Sequence, residues 1–138
     1  MSTILCIEDE KLVREDIVEE LEESGFTVLV ADDGVDGLNM ILNHKPDLVI
    51  CDISMPRMDG FQLLVEIRQK YKLMANMPFI FLSALADEKH VLAGLKEGAD
   101  NYLTKPVDFD LLKATVEASL RQMARIKHMT EGISVLDI

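Results

Sequence analysis

Five short apolar runs, each followed by a segment of helical periodicity, constrain the fold of this chain more than any other feature of it. The runs are Thr3-Ile4-Leu5-Cys6-Ile7, Thr27-Val28-Leu29-Val30-Ala31, Leu48-Val49-Ile50-Cys51-Asp52, Phe79-Ile80-Phe81-Leu82 and the shorter Asn101-Tyr102-Leu103-Thr104. Continuous apolar runs of this length, bounded by turn residues, read as strands covered on both faces, the pattern of parallel sheets. Between them, apolar residues recur at helical spacing: Val13, Ile17 and Leu21; Val35, Leu38, Ile41 and Leu42; Phe61, Leu64 and Ile67; Val91, Leu92 and Leu95; then a last helix starting near Asp108. Ser24-Gly25, Asn43, Pro46, Pro78 and Gly98 fall where these helices or their connections should end. Five strands alternating with five helices predict an α/β domain, a parallel sheet with right-handed crossovers and helices on both faces.

A chain of 138 residues is long enough to bury such a sheet as one domain. Its 25 acidic residues against 14 basic ones give a formal charge of -11, which repels nucleic-acid backbone and excludes direct DNA binding as an expectation. No apolar run is long enough to span a bilayer, and Met1-Ser2-Thr3 enters the first strand without the features of a signal peptide, so a cytoplasmic location is expected. Cys6 and Cys51 fall inside predicted strands, which reads as two buried free thiols with no chemistry assigned.

In a parallel sheet every strand delivers its C-terminal residue to one edge, and ligands of open α/β sheets bind in the crevice there. That topology gathers Glu8 and Asp9, Asp52, Ser83 and Lys105, although they are far apart in the chain. Taken alone, Asp52 is better explained as a residue capping a turn; its partners reverse that and give it a chemical reading. Carboxylates in one crevice repel by about 4 kcal/mol per pair at ~4 Å and an effective dielectric near 20 unless a cation intervenes. With few oxygen ligands on offer, Mg²⁺ fits better than Ca²⁺, and no Cys or His cluster suggests zinc. With the acids neutralised, Asp52 can act as a nucleophile toward phosphorus, and Lys105 and the Ser83 hydroxyl can hold phosphoryl oxygens.

The whole pattern resembles the receiver domain of bacterial two-component response regulators over roughly residues 3 to 121. The resemblance is carried by Glu8-Asp9 after the first strand, Asp52 with Met55-Pro56 and Asp59-Gly60, Ser83-Ala84, Gly98-Ala99-Asp100, Tyr102 and Lys105-Pro106. It implies a flavodoxin-like doubly wound sheet of order 2-1-3-4-5. It also implies that Asp52 is the phosphoacceptor, that Asp9, Asp52 and the Ser54 backbone carbonyl bind Mg²⁺, and that Glu8 acts mainly through a bound water. Ser83 and Lys105 would contact the phosphoryl group, Ser83 and Tyr102 would form the switch, and Lys105-Pro106 would be cis. Partners implied are a histidine kinase or histidine phosphotransfer protein, and the chain is expected to be a phosphorylation switch more than a turnover enzyme. Glu8 stands where many members carry Asp and Ser83 where Thr is common; Ser54 and Leu85 are positions where the family varies its dephosphorylation rate.

Two other classes fit less well. A phosphohydrolase using an aspartate nucleophile would carry a second Asp two residues on, where this chain has Ser54, and a flavin or nucleotide carrier would need a phosphate-binding loop where Glu8-Asp9-Glu10 stands. Met55, Met58, Met74 and Met77 read as core filling, and His44, His90 and His128 as surface residues. Asp32, Asp33 and Asp36 read as acids at a helix start. Residues 122–138 are expected to extend the last helix to about His128, stopping before Gly132. Along it Phe109, Leu112, Val116, Met123 and Ile126 approximate a heptad interrupted at Ser119. That register leaves open a homodimer, using the fourth helix, fifth strand, fifth helix and its extension, a lead into an effector domain, or a frayed amphipathic tail.

Overall fold

The computed structural model describes residues 2–84, 96 and 99–136, of which 129–136 by backbone alone. The elements are β1 (Thr3–Ile7), α1 (Lys11–Glu23), β2 (Thr27–Ala31), α2 (Gly34–His44), β3 (Leu48–Asp52), α3 (Gly60–Lys70), a 3-10 turn (Lys72–Met74), β4 (Phe79–Ser83), β5 (Asn101–Thr104) and α4 (Phe109–Leu136). All four strand pairings are parallel and the order is β2-β1-β3-β4-β5, as the alternation and the resemblance predict. The predicted fourth helix falls on residues 85–98, outside the described residues apart from Lys96, so α4 is the fifth helix of the sequence reading.

Strand alternation divides the core into two layers. Leu5, Ile7, Val49, Cys51, Phe79 and Phe81 point to one face, where Ile41 of α2 and Leu63, Leu64 and Ile67 of α3 cover them. Ile4, Cys6, Leu48, Ile50, Ile80 and Leu82 point to the other, against Ile17 and Leu21 of α1 and Leu112 and Val116 of α4. The three central strands are buried on both faces, which is why they read as unbroken apolar runs. The edge strand β2 alternates less cleanly and leaves Val30 exposed.

Helix starts follow the local chemistry. Asp33 caps α2 by accepting the Asp36 N–H at 2.9 Å, and Asp59 with Gln62 forms a reciprocal capping box at α3. Gly25, at φ 95, lets the chain turn after α1. Cys6 and Cys51 are buried free thiols and His44 and His128 are exposed, as expected, while His90 lies outside the described residues. Met77 is buried, and Met55, Met58 and Met74 pack against the same core.

Two features depart from the sequence reading. The connection before Pro78 contains the 3-10 turn, held because the Arg68 guanidinium, itself largely buried, donates to the Met77 carbonyl at 2.9 Å and pairs with Asp100. The last helix does not stop before Gly132 but runs on to Leu136. A lone glycine inside a helix costs only about 1 kcal/mol relative to alanine, too little to force a stop. Among the described residues no helix is long and apolar enough to cross a membrane.

Candidate phosphoacceptor and metal site

The chain leaves β1 for β2 on one side and later enters β3 on the other, so the exits of β1 and β3 flank the point where strand order reverses. Glu8 and Asp52 stand at those exits. Asp52 is 4% exposed; its Oδ1 accepts the Ser54 N–H at 3.2 Å and its Oδ2 accepts from Lys105 Nζ at 3.0 Å. Lys105 follows β5, and its own N–H donates to the Ser83 carbonyl at 2.8 Å, tying it to the end of β4. The Lys105–Pro106 peptide is cis. The same ammonium bonds Glu10 Oε1 at 3.1 Å and lies against Glu8 Oε1.

One carboxylate oxygen from each of Glu8, Glu10 and Asp52 lies within 4.8 Å of the other two. Of the expected acids, then, Glu8 and Asp52 are brought together, while Asp9 is exposed on the same loop and is not part of this cluster. Glu10 takes a place that sequence reasoning did not assign to it, although its position as the last of three consecutive acids was the available signal. Ser54 is exposed at the start of the loop after β3, and Tyr102 is half-buried on β5 against the core. Ser83 is 1% exposed, and its hydroxyl donates to the Ala84 carbonyl at 3.1 Å.

Electrostatics sharpen the picture. Glu8 is 0% exposed, and although the Lys105 ammonium lies beside it, neither carboxylate oxygen accepts a hydrogen bond of good geometry. Burial holds the Glu8 carboxyl above the usual carboxylate range, the neighbouring Asp52 carboxyl adds to this, and Lys105 opposes both. Burial by itself would lower the Lys105 pKa, but Glu8, Asp52 and Glu10 outweigh it and hold the ammonium above the ordinary lysine value. Lys105 is thus a firm positive charge within an acidic excess. Three carboxylates converging on one crevice with a single ammonium among them leave an acidic excess, and an all-oxygen set of this kind fits a hard divalent cation.

A second acidic group, Asp32, Asp33 and Asp36, gathers at the start of α2. Its charge is met by Arg57, whose Nε and Nη2 bond Asp33 at 2.8 and 3.0 Å and whose Nη2 reaches Asp36 at 3.1 Å. Arg57 first, and the cap from the Asp36 N–H second, hold the Asp33 carboxyl below its ordinary range. Nothing in the spacing of the sequence signalled Arg57.

Comparison with known proteins agrees with this geometry. The family model described as response regulator receiver domain matches residues 4–117. The chain is 37% identical over 119 residues to response regulator MprA of Mycobacterium sp. (strain KMS), covering 86% of this chain and 50% of that one. It is 39% identical over 119 residues to transcriptional regulatory protein CseB of Streptomyces avermitilis, covering 86% and 49%. It therefore spans about half the length of the curated relatives it matches. Among solved structures, the receiver domain of Francisella response regulator 1452 superposes with a TM-score of 0.81 at 35% identity, covering 89% of this chain and 99% of that one.

Proposed function

Because this chain belongs to the response regulator receiver domains of two-component systems, we propose that Asp52 accepts a phosphoryl group from the phosphohistidine of a histidine kinase or histidine phosphotransfer protein. The observation that carries this reading is the convergence of one ammonium, Lys105, on Asp52 at 3.0 Å and on the fully buried Glu8 carboxyl beside it. An Asp52 carboxylate oxygen attacks phosphorus, the P–N bond breaks, and the imidazole nitrogen leaves with the electron pair. Lys105, already a firm cation, neutralises charge on the phosphoryl oxygens.

Mg²⁺ would be held by Asp9, Asp52 and the Ser54 backbone carbonyl, with Glu8 acting through water; when bound, it offsets repulsion among the acids and charge on the transferring phosphoryl group. We read the Ser83 hydroxyl as the group that turns from the Ala84 carbonyl to a phosphoryl oxygen. Tyr102 then moves inward, and the population shifts toward a form with an altered β5 and α4 surface. That surface, with the extension of α4, is the one we assign to pairing between copies. In this reading the chain is a self-dephosphorylating switch in the cytoplasm, and it controls an output without touching DNA itself, since its charge is -11. CseB is named a transcriptional regulatory protein, and we infer that this chain plays the part of the half it matches there.

The test is labelling by acetyl phosphate with Mg²⁺. Wild type should take up acid-labile phosphate and Asp52→Asn none, because an amide is a poor nucleophile. Label retained in Asp52→Asn overturns the assignment.

A further inference from the structure

The loop that follows Asp52 is not relaxed. Arg57 has φ 67, and the Met58 N–H closes a three-residue turn on the Pro56 carbonyl at 2.8 Å. A γ-turn with positive φ is rare and strained, and the Cβ of a non-glycine residue at its centre is what strains it. Such a conformation persists only where its surroundings hold it. Here the holding group is visible. The Arg57 side chain reaches from the turn to Asp33 and Asp36 at the start of α2, with three hydrogen bonds between 2.8 and 3.1 Å. Asp33 is itself anchored, being buried and serving as the cap of α2. Gly34 makes a second tie: a Cβ there would collide with the Met58 carbonyl, so the loop backbone and the helix start fit without an intervening side chain.

We infer that Arg57 is a positioning residue, whose ion pairs with Asp33 and Asp36 hold the loop between Ser54 and Asp59 in the form that admits the divalent cation beside Asp52. This rests on the function proposed above. The loop begins at Ser54, the residue assigned a ligand carbonyl, and its far end is pinned where Gly60 donates to the Ile53 carbonyl at 2.9 Å. A Cβ on Gly60 would collide with the Asp52 carbonyl, so movement of the loop is felt at the acceptor itself. The acids at the start of α2 therefore act on the site through the Arg57 guanidinium rather than by touching it. The lowered Asp33 carboxyl is the electrostatic sign of the same contact.

Two measurements on the full chain decide it, using Arg57→Gln, Arg57→Lys, Asp33→Asn and the double variant Arg57→Gln/Asp33→Asn. Asparagine still caps a helix, so Asp33→Asn removes the charge while keeping α2 capped. In metal-free protein, amide hydrogen exchange at Met58 and Gly60 should quicken about tenfold in Arg57→Gln and by less in Asp33→Asn and Arg57→Lys, while β1 amides are unchanged. Titration with MgCl₂ alone should show Mg²⁺ bound about tenfold more weakly in Arg57→Gln, the range typical of groups that orient metal ligands. The double variant should be no weaker than Arg57→Gln, because that substitution already removes the Asp33 contact, and Asp33→Asn alone should lose less since Arg57 still reaches Asp36. Unchanged exchange, unchanged Mg²⁺ affinity or additive losses would overturn the role. A wild-type chain that takes up no Mg²⁺ would overturn the proposed function and this role with it, even if the exchange difference still recorded the clamp.

Discussion

Glu8 is the residue where the fold and the proposed function oppose each other. A fully buried carboxyl beside a second carboxyl disfavours the metal-free native state, and the Lys105 ammonium against its Oε1 offsets part of that cost. A cation bound beside that carboxyl, with Glu8 reaching it through water, stabilises the native chain by mass action, about 1.4 kcal/mol at ten times its dissociation constant, or roughly 5 °C in Tm for a domain of this size. Millimolar Mg²⁺ is thus expected to raise the wild-type Tm, and Glu8→Gln should cut that rise by at least half; thermal unfolding with and without MgCl₂ checks both. Asp33 yields a prediction on the acid side. Its carboxyl is held below the ordinary value of 3.8 in the folded chain, chiefly by Arg57. In the window below that value the unfolded chain binds the proton and the native chain does not, so stability is present above it and lost as pH falls toward the folded value. Denaturant midpoints measured from pH 5 down to 3 should fall less steeply in Asp33→Asn than in wild type.

Among the elements, α2 poses a direct contest between local propensity and packing. Gly34 opens the helix and Gly37 lies against Ile7, positions where alanine would be the better helix former by about 1 kcal/mol. At Gly34, however, the added methyl would meet the Met58 backbone, which cannot swing aside as the tip of a side chain does. Gly34→Ala is therefore expected to destabilise the chain by about 1–3 kcal/mol, the range for forcing atoms into a packed site, despite the gain in propensity. Chemical denaturation checks the sign; a stabilised variant would mean that the α2 start and the loop after β3 are looser than their contact implies.

For the molecule as a whole, the open question is what α4 does beyond the sheet. Its 28 residues span about 42 Å at 1.5 Å per residue, while strands of five residues span about 17 Å. Leu112 and Val116 are buried on the sheet, Leu120 is partly buried, Met123 is half-buried and Ile126 is half exposed. The apolar stripe thus outlasts the surface that covers it. In the proposed switch, phosphorylation presents this stretch to a second copy. Sedimentation equilibrium should then show a shift toward twice the monomer mass in the phosphorylated chain, and Met123→Lys should remove it. A monomer in both states, indifferent to Met123→Lys, would rule the pairing out.

Strand identity, helix phase and the gathering of Glu8, Asp52, Ser83 and Lys105 at one edge were legible in the sequence, because periodicity and strand exits are local properties that topology turns into proximity. The family pattern was legible for the same reason, since its residues lie at those exits. What the sequence by itself could not determine is which neighbours complete the site. Glu10 enters the carboxylate cluster, where it meets the Lys105 ammonium arriving from β5, and Asp9 stays exposed outside it, a difference of side-chain direction that three consecutive acids do not encode. Arg57 meets Asp33 only because α2 and the loop after β3 pack with their backbones in contact, a fit that no spacing along the chain encodes. The end of α4 escaped the sequence for the opposite reason: Gly132 is a weak local signal, and a penalty of about 1 kcal/mol does not break a helix that continues on both sides of it. Local periodicity thus determined the elements and their order, and tertiary packing decided the contacts between loops, where single side chains reach across the fold.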